Sequence, residues 1–282
     1  MSNSRSQTPK RNIRLIVEYK GTHYRGWQRQ KDLPSVQQEI EIAIKKITGV
    51  HQPLTVAGRT DAGVHALEQV AAFFTHHPLP IQRFARAINH FLPKDICIHR
   101  ADEVNLNFNV REHSLSKQYV YSIYQARERS AIEAERSHWI RDPLDLQSMQ
   151  QASKCLIGEN DFNAFRSVHC DAAHAIRMIY SINISQEQRK PCGRMIHLTF
   201  HGNAFCRYMC RILAGTLLEV GQQKRSIESV ASALKSKDRQ LAGMTAPACG
   251  LTLVHVEYPD IHLLLPDIKT RPASIPLQPS QL

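Results

Sequence analysis

The sequence has no apolar run long enough to cross a membrane, because a spanning helix needs about 20 consecutive apolar residues. Its N-terminal segment also lacks the hydrophobic stretch of a signal peptide. These two absences argue against a membrane protein and against secretion through a cleaved leader. We therefore expect a cytoplasmic protein that does not associate with membranes.

Paired cysteine motifs are missing as well. The seven cysteines form an odd number without a Cys-x-x-Cys pair, which argues against a disulfide framework and for a reducing compartment. Cys206 and Cys210 follow His197 and His201 closely, so a zinc site is an alternative. The histidines fit a strand pattern, however, the cysteines fit a helix pattern, and no His-Glu-x-x-His spacing occurs. We therefore expect no bound metal.

Acidic residues are outnumbered by basic ones. The 282 residues include 36 Lys and Arg against 25 Asp and Glu, which gives a formal net charge of +11 and an isoelectric point near 9.5. The basic residues occur in clusters, such as Lys45-Lys46, Lys224-Arg225 and the group from Arg5 to Arg14, which no acid interrupts. Clustered positive charge suits a polyanion, so the composition predicts a nucleic-acid partner.

Hydrophobic periodicity divides the chain into two halves between polar or proline-rich ends. We predict disordered tails at residues 1–11 and 266–282, an N-terminal α/β domain at 12–110 and a C-terminal α/β domain at 111–265. Both halves alternate strands with amphipathic helices, which indicates an α+β fold. The predicted strands cover residues 15–19, 54–57, 69–74, 96–101, 118–124, 177–184, 194–201 and 251–258, and the predicted helices cover 35–47, 81–91, 146–156, 203–220 and 227–234.

The segment from Gly58 to His65 reads GRTDAGVH and surrounds one carboxylate, Asp61, with two glycines, an arginine and a histidine. Glycine lets a backbone approach a ligand closely, and a neighbouring guanidinium favours the ionised form of a carboxylate. Asp61 could therefore serve as a nucleophile or base. It could equally form an Asx turn that satisfies local backbone donors. The segment by itself leaves both interpretations open.

Arg211 borders the apolar stripe of the helix predicted at 203–220, one turn after Arg207. An arginine in that position must extend to solvent or bind an anion, and Asp61 is the acid that would explain it. Tyr119 and Tyr121 share one face of a predicted strand close to basic residues. Such a pair suits either the stacking of nucleic-acid bases or cross-strand packing.

Taken in order, these segments resemble the bacterial tRNA pseudouridine synthases of the TruA type. The resemblance covers roughly residues 13–259, and the segment from Gly58 to His65 is similar to the catalytic motif of that family at every position. The other matching segments are Glu18 to Gly21, Tyr24 to Gln30, Ser35 to Gln37, Leu92 to Ile96, Tyr119 to Tyr121, Gly158 to Phe162 with Phe165, Phe205 to Arg211, and Gly250 to Leu253.

The resemblance implies a role for each matched residue. Asp61 would be the catalytic aspartate, and Arg211 would form a salt bridge with it. Tyr119 would stack on the target uracil and could relay a proton, while Leu251 would form an apolar wall of the pocket. Arg59 would contact phosphate or position the flipped nucleotide. Two further arginines would bind the substrate, namely Arg29 and Arg207.

The same resemblance implies the wider organisation of the protein. It predicts two α/β domains with mixed, largely antiparallel sheets that face a basic RNA-binding cleft. It also implies a homodimer, the absence of any metal or organic cofactor, and activity on uridines 38, 39 and 40 in the anticodon stem-loop of tRNA.

One stretch departs from the family pattern. Residues 108–114 read FNVREHS where the family more usually has F-H-A-R-F/Y-S-A, and Lys117-Gln118 stand where two basic residues often precede the tyrosine. These positions concern the domain junction and RNA contacts, so they bear on substrate range more than on activity. A non-catalytic RNA-binding protein of the same fold is the main alternative. A hydrolase that uses His65 is disfavoured, because no serine or cysteine lies in a recognisable elbow or triad setting.

Overall fold

The computed structural model describes residues 9–259. The predicted disorder of residues 1–11 and 266–282 therefore falls outside the described residues, except at positions 9–11. Arg11 is already the first residue of a strand, so the ordered part of the chain begins at least one residue earlier than predicted.

Within the described residues the chain forms ten strands and five α-helices. The strands are β1 (Arg11–Tyr19), β2 (Thr55–Val56), β3 (His65–Thr75), β4 (Ile96–Val104), β5 (Ser116–Gln125), β6 (His138–Ile140), β7 (Gly158–Asp161), β8 (Ile176–Gln188), β9 (Arg194–Gly202) and β10 (Leu251–Glu257). The helices are α1 (Val36–Thr48), α2 (Ile81–Asn89), α3 (Leu146–Ser153), α4 (Met209–Gly221) and α5 (Ile227–Ser236). The predicted mixed α+β fold is confirmed.

All ten strands belong to one mixed sheet. The strand order is β4-β1-β3-β10-β5-β9-β8-β7, with β2 paired to β3 and β6 paired to β5. Strand β10 runs parallel to β3, with Thr252 opposite His65, and antiparallel to β5, with Leu253 opposite Tyr119. The last described strand therefore joins the N-terminal half of the sheet to the C-terminal half.

Local sequence signals explain both ends of helix α1. Helix α1 begins where the hydroxyl of Ser35 accepts a hydrogen bond from the backbone N–H of Gln38, and it ends at Gly49, whose φ of 76° suits glycine. Its inward face places Ile40 and Ile44 in the core with no solvent exposure. Burial of an aliphatic side chain of this size contributes about 1.5–3 kcal/mol.

Helix α4 begins six residues later than predicted. The predicted start near residue 203 is wrong because Tyr208 adopts a left-handed conformation, with φ at 65°, and Met209 donates its N–H to the carbonyl of Cys206. Phe205 fits the helical spacing in the sequence, but its ring packs against another strand and not along the helix. Arg207 therefore lies in the turn before α4 and not on the helix.

The short elements of the C-terminal half were not predicted. Strands β6 and β7 have three and four residues, which is too few for a periodic pattern to emerge. Helix α3 was predicted to reach residue 156 but ends at Ser153, a single 3-10 turn follows it, and Gly158 opens β7. Strand β3 begins at His65, four residues before the predicted start, because its first residues pair with β10.

Candidate active site

The segment from Gly58 to Val64, here called the Asp61 loop, connects β2 to β3. Two buried side chains from the sheet hold it. The amide of Gln69 donates to the carbonyl of Gly58 at 2.7 Å, and the hydroxyl of Tyr19 shares a hydrogen bond of 2.7 Å with the hydroxyl of Thr60. Gln69 is fully buried and Tyr19 is 2% exposed. The loop is therefore fixed to the core although it has no regular secondary structure.

A second segment, residues 21–27, packs its backbone directly on the Asp61 loop. Trp27 donates its backbone N–H to the carbonyl of Thr60 at 3.1 Å, and Gly63 donates its backbone N–H to the carbonyl of Tyr24 at 3.2 Å. Two glycines permit this approach. A Cβ atom on Gly21 would lie 2.0 Å from the carbonyl oxygen of Val64, and Gly26 has φ at 90°.

We expect Gly21→Ala to destabilise the protein, because the carbonyl of Val64 is backbone and cannot rotate away from the added methyl group. The free energy of unfolding should fall by about 1–3 kcal/mol, the usual range for overpacking, and urea denaturation measures it. Gly58→Ala is the matched control, because its Cβ would meet side chains and no backbone, with the Lys117 stem nearest at 3.3 Å. Equal stability of the two variants would show that the two loops are not tightly packed.

The structure brings Asp61 and Arg211 together. Arg211 Nη1 lies 3.6 Å from Asp61 Oδ2, and the two side chains are 15% and 19% exposed. Three contacts position the guanidinium. Its Nε donates to the carbonyl of Ala246 at 2.8 Å, the N–H of Ala246 donates back to the carbonyl of Arg211 at 3.1 Å, and the ring of Tyr208 lies 5.0 Å from the guanidinium carbon.

Burial and two neighbouring arginines shift the pKa of Asp61 in opposite directions. Burial raises the pKa of Asp61 above its ordinary value, while the charges of Arg211 and Arg207 oppose the rise without cancelling it. Asp61 is therefore a stronger base than an exposed aspartate. No backbone N–H of residues 9–259 donates to its carboxylate, so the Asx turn considered from the sequence does not form.

Tyr119 lies on β5 beside the Asp61 loop. Its side chain is 7% exposed, and its ring meets that of Phe205 edge to face, with 5.2 Å between the centroids. A Cβ on Gly58 would lie 3.9 Å from the Tyr119 hydroxyl, which places the phenol against the start of the loop. Burial raises the pKa of Tyr119 well above its ordinary value, so the hydroxyl stays protonated.

Leu251 opens β10 and is buried, with 4% exposure. It pairs with Tyr121, whose hydroxyl donates to the carbonyl of Pro247 at 3.1 Å. Tyr119 pairs with Leu253, two residues further along the same two strands. Leu251 therefore supplies apolar surface on the strand next to Tyr119. Tyr121 is fully buried and serves packing, which was one of the two interpretations of the tyrosine pair.

The three other predicted arginines occupy different settings. Arg207 is close enough to Asp61 to oppose the rise of its pKa, and its Nη1 donates to the carbonyl of His169 at 3.3 Å. Arg59 follows Gly58 in the loop, two residues before Asp61. Its side chain is 58% exposed, and its contact is with Asp171 at 3.8 Å. Arg59 is thus free to meet a ligand in solvent.

Arg29 lies on the segment after Trp27, and its side chain is 53% exposed. Its Nη1 lies 3.4 Å from the carboxylate of Glu41 and 3.2 Å from the ring of His51. The structure does not bring Arg29 into contact with Asp61. Its substrate-binding role stays a prediction.

Both ring nitrogens of His65 are engaged. Nδ1 accepts the N–H of Gly21 at 3.0 Å, and Nε2 lies 3.2 Å from the carbonyl of Cys249, to which it donates. Burial lowers the pKa of His65, so the ring is neutral near pH 7. His65 therefore links the start of β3 to the segment before β10, and the hydrolase alternative loses its candidate base.

Two observations bear on metals and membranes. Within residues 9–259 no three His, Cys, Asp or Glu side chains lie close enough together to hold a metal ion. His197 and His201 instead bond the hydroxyls of Ser122 and Ser116, at 3.1 and 3.0 Å. In the same part of the chain, no helix combines the length and apolar character that a membrane crossing requires.

Sequence reasoning missed the residues that support the site. Tyr19 and Gln69 carry the Asp61 loop, but the sequence shows them only as one strand residue in an alternating pattern and one polar residue within a strand. Tyr208 fits the helical stripe and gives no sign of its left-handed conformation. Lys117 precedes the predicted tyrosine pair, yet nothing in its neighbours indicates that it is buried.

Comparison with known proteins shows the family of this chain. A family model described as tRNA pseudouridine synthase matches residues 15–111 and 152–259, which include Asp61, Arg211 and Leu251. This match defines the class of protein as a pseudouridine synthase. The chain belongs to the tRNA pseudouridine synthase family.

Relatives of this chain within the family share a more specific name. A protein named tRNA pseudouridine synthase A from Geotalea uraniireducens (strain Rf4) is 43% identical over 248 residues, covering 88% of this chain and 100% of the relative. The protein of the same name from Hydrogenovibrio crunogenus (strain DSM 25203 / XCL-2) is 41% identical over 248 residues, covering 88% of this chain and 93% of the relative. Both alignments span nearly the whole described chain.

Similarity to solved structures is weaker. A chain of the Cbf5-Nop10-Gar1 complex aligns with a TM-score of 0.29 and 12% identity, covering 86% of this chain and 58% of that chain. The archaeal box H/ACA sRNP Nop10-Cbf5 complex gives a TM-score of 0.33 and 12% identity over 81% of this chain and 59% of that chain. At these scores the alignments do not bear on the site.

Proposed function

We propose that this protein isomerises uridine to pseudouridine in tRNA. The observation that carries the proposal is the partly buried pair of Asp61 and Arg211, whose charged atoms lie 3.6 Å apart, with Tyr119 beside the same loop. The family match and the names of the relatives support it. The RNA partner also fits the net charge of +11.

The reaction needs one well-placed carboxylate and no change of oxidation state. The bond between N1 of uracil and C1′ of ribose breaks, the detached base rotates, and C5 bonds to C1′. C5 then loses its proton and N1 gains one, so the product is an isomer of the substrate. Ionised Asp61 would either attack C1′ and be displaced when C5 bonds to C1′, or remove the proton on C2′ to give a glycal and return that proton to C2′ when C5 bonds to C1′. Both routes require a charged and correctly aimed aspartate.

The neighbouring residues would divide the remaining work. Arg211, held by Ala246 and Tyr208, would aim the carboxylate and keep it ionised. Tyr119 would stack on the extruded uracil, and its protonated hydroxyl could pass on the C5 proton. Leu251 would exclude water from one side of the base.

Substrate contacts outside the pocket would fall to exposed basic residues. Arg59 would contact phosphate or position the flipped nucleotide, and Arg207 and Arg29 would bind RNA nearby. Extruding a uridine costs a few kcal/mol, and contacts with the RNA backbone offset that cost. We further propose that the substrate is the anticodon stem-loop, with uridines 38, 39 and 40 as targets. The protein would act as a homodimer in the cytoplasm.

Mapping of pseudouridine in tRNA tests the proposed function. Purified protein should introduce pseudouridine into unmodified tRNA transcripts at one or more of positions 38, 39 and 40. The main alternative, a non-catalytic RNA-binding protein, predicts binding of the same transcripts without any product. A transcript with cytidine at these positions is the matched control.

We expect RNA binding to be electrostatic and turnover to be independent of metal ions. Affinity should fall steeply with salt concentration, with a log–log slope of about 0.7–0.9 for each phosphate contacted. A chelator should leave the rate unchanged. Filter binding at several salt concentrations and a turnover assay with chelator measure the two effects. Chelator-sensitive activity that zinc restores would bring back the site at Cys206 and Cys210.

A further inference from the structure

Lys117 differs from every other buried charged side chain in the described part of the chain. Four Lys, Arg, Asp or Glu residues are buried there. Three of them have partners of opposite charge, namely Arg14 with Asp102, Glu41 with Arg29, and Glu133 with Arg189 and Arg136. Lys117 is 7% exposed and forms no ion pair with any carboxylate of residues 9–259. A buried ammonium without such a partner is costly unless an anion binds to it.

A hydroxyl group and a second positive charge lie near the ammonium group of Lys117. Its Nζ donates to the hydroxyl of Ser114 at 2.9 Å, and that hydroxyl donates to the carbonyl of Arg111 at 3.0 Å. Burial and the charge of Arg111 lower the pKa of Lys117 to about 8. The ammonium of Lys117, at the start of β5, is thus bonded to a hydroxyl of the preceding turn, and the charge of Arg111 in that turn is near enough to affect it. That turn belongs to the stretch that departs from the family pattern.

The cluster adjoins the proposed active site. The Cε atom of Lys117 would lie 3.3 Å from a Cβ on Gly58, at the start of the Asp61 loop. Tyr119 follows two residues later on the same face of β5. On the neighbouring strands, Gly202 and Val256 stand opposite Lys117, and Gly202 adds no side chain to fill the space.

We propose that Lys117, Ser114 and Arg111 form a phosphate-binding subsite for the RNA strand next to the extruded uridine. An ammonium has three donors, of which Ser114 takes one, and the others suit the oxygens of a phosphodiester. A bound phosphate would supply the missing negative charge. The inference rests on the proposed function, because the occupant is a phosphate of its RNA substrate.

The first test compares the binding of an anticodon stem-loop transcript by the full-length wild type, Lys117→Met and Lys117→Arg. Methionine keeps an unbranched stem but removes the charge, so affinity should fall about tenfold and the salt slope by about 0.7–0.9. Arginine should retain most of both. Lys154→Met, at an exposed lysine after α3, is the matched control and should bind as the wild type does. Circular dichroism checks that each variant folds.

The second test uses pH. As Lys117 loses its proton between about pH 7 and 9, wild-type affinity should fall up to about tenfold, whereas Lys117→Arg should not show this decline. The other ionisable groups on the elements around Lys117 are the same in both proteins, so the difference between the two isolates Lys117. These groups are Arg111, Glu112 and His113 in the turn, Arg59 and Asp61 in the loop, Tyr119 on β5, His201 on β9, and His255 and Glu257 on β10.

The third test locates the phosphate. Methylphosphonate groups, which are neutral, replace one phosphate at a time around the target uridine. One replacement should weaken binding by the wild type but not further weaken binding by Lys117→Met. Unchanged binding by Lys117→Met, or the absence of any such position, would overturn the subsite. Loss of turnover with intact binding would also overturn it and assign Lys117 to positioning of the loop. Wild-type turnover of the transcript tests the proposed function separately.

Discussion

Asp61→Asn should abolish pseudouridine formation while the protein remains folded and binds tRNA within a few-fold of the wild type. The substitution keeps the size of the side chain and removes its charge and basicity. Because Asp61 is the nucleophile or base in either route, we expect a loss of about 10³-fold or more in the single-turnover rate. Assays on an anticodon stem-loop transcript measure the rate.

Stability provides the control for this variant. Burial raises the pKa of Asp61, which means that the folded environment disfavours its ionised form, so a neutral side chain should be tolerated. The Asp61 loop is held by Tyr19 and Gln69 and not by the carboxylate. Circular dichroism should therefore show a folded variant. A variant that retained even a tenth of the wild-type rate would end the assignment of Asp61 to the chemistry.

Arg211→Ala should lower the turnover rate far more than the affinity for tRNA. The guanidinium lies 3.6 Å from the Asp61 carboxylate and is 15% exposed, so its charge acts in a partly desolvated site. We expect a loss of about 10²–10³-fold in rate, the range for removal of one preorganised electrostatic contact. Arg211→Lys should rescue only in part, because an ammonium cannot contact both the carboxylate and the Ala246 carbonyl as the planar group does.

The pH profile separates this role from RNA binding. Activity requires ionised Asp61, so the rate should fall as the pH drops through the pKa of Asp61, which burial has already raised. Arg211 opposes that rise, so in Arg211→Ala the pKa increases and the acidic limb of the profile moves to higher pH. Single-turnover rates across the pH range measure the shift. If the acidic limb of the profile did not move and RNA binding weakened, the role of Arg211 would instead be RNA binding.

The sequence predicts the elements that local signals control. Helix α1 was predicted at residues 35–47, and in the structure it begins after the cap residue Ser35 and buries the predicted face. The start of α4 escapes prediction because Phe205 and Tyr208 keep a helical spacing, while contacts with other strands and a left-handed φ decide the conformation. The first residues of β3 escape it as well, because they pair with a strand almost 190 residues away along the chain.

The candidate site likewise has residues that the sequence indicates and properties that only packing determines. Asp61 is conspicuous because glycines and charged residues surround it, and Arg211 because it interrupts an apolar stripe. Arg59 lies two residues before Asp61, so the sequence suggested that its charge favours the ionised carboxylate. In the structure Arg59 contacts Asp171, and Arg211 and Arg207 are the arginines that lower the pKa of Asp61. Burial, which sets the direction of the Asp61 pKa, depends on packing from both halves and cannot be read from spacing.

The position of β10 has a consequence for how the protein comes into being. Residues 251–257 are synthesised after the other nine described strands, yet they occupy the middle of the sheet, between β3 and β5. Until they arrive, both neighbours carry an open edge, and no other described strand connects the strand that leaves the Asp61 loop to the strand that holds Tyr119. A ribosome-bound chain that lacks this strand therefore has no assembled active site. Catalytic competence requires that synthesis has passed residue 257.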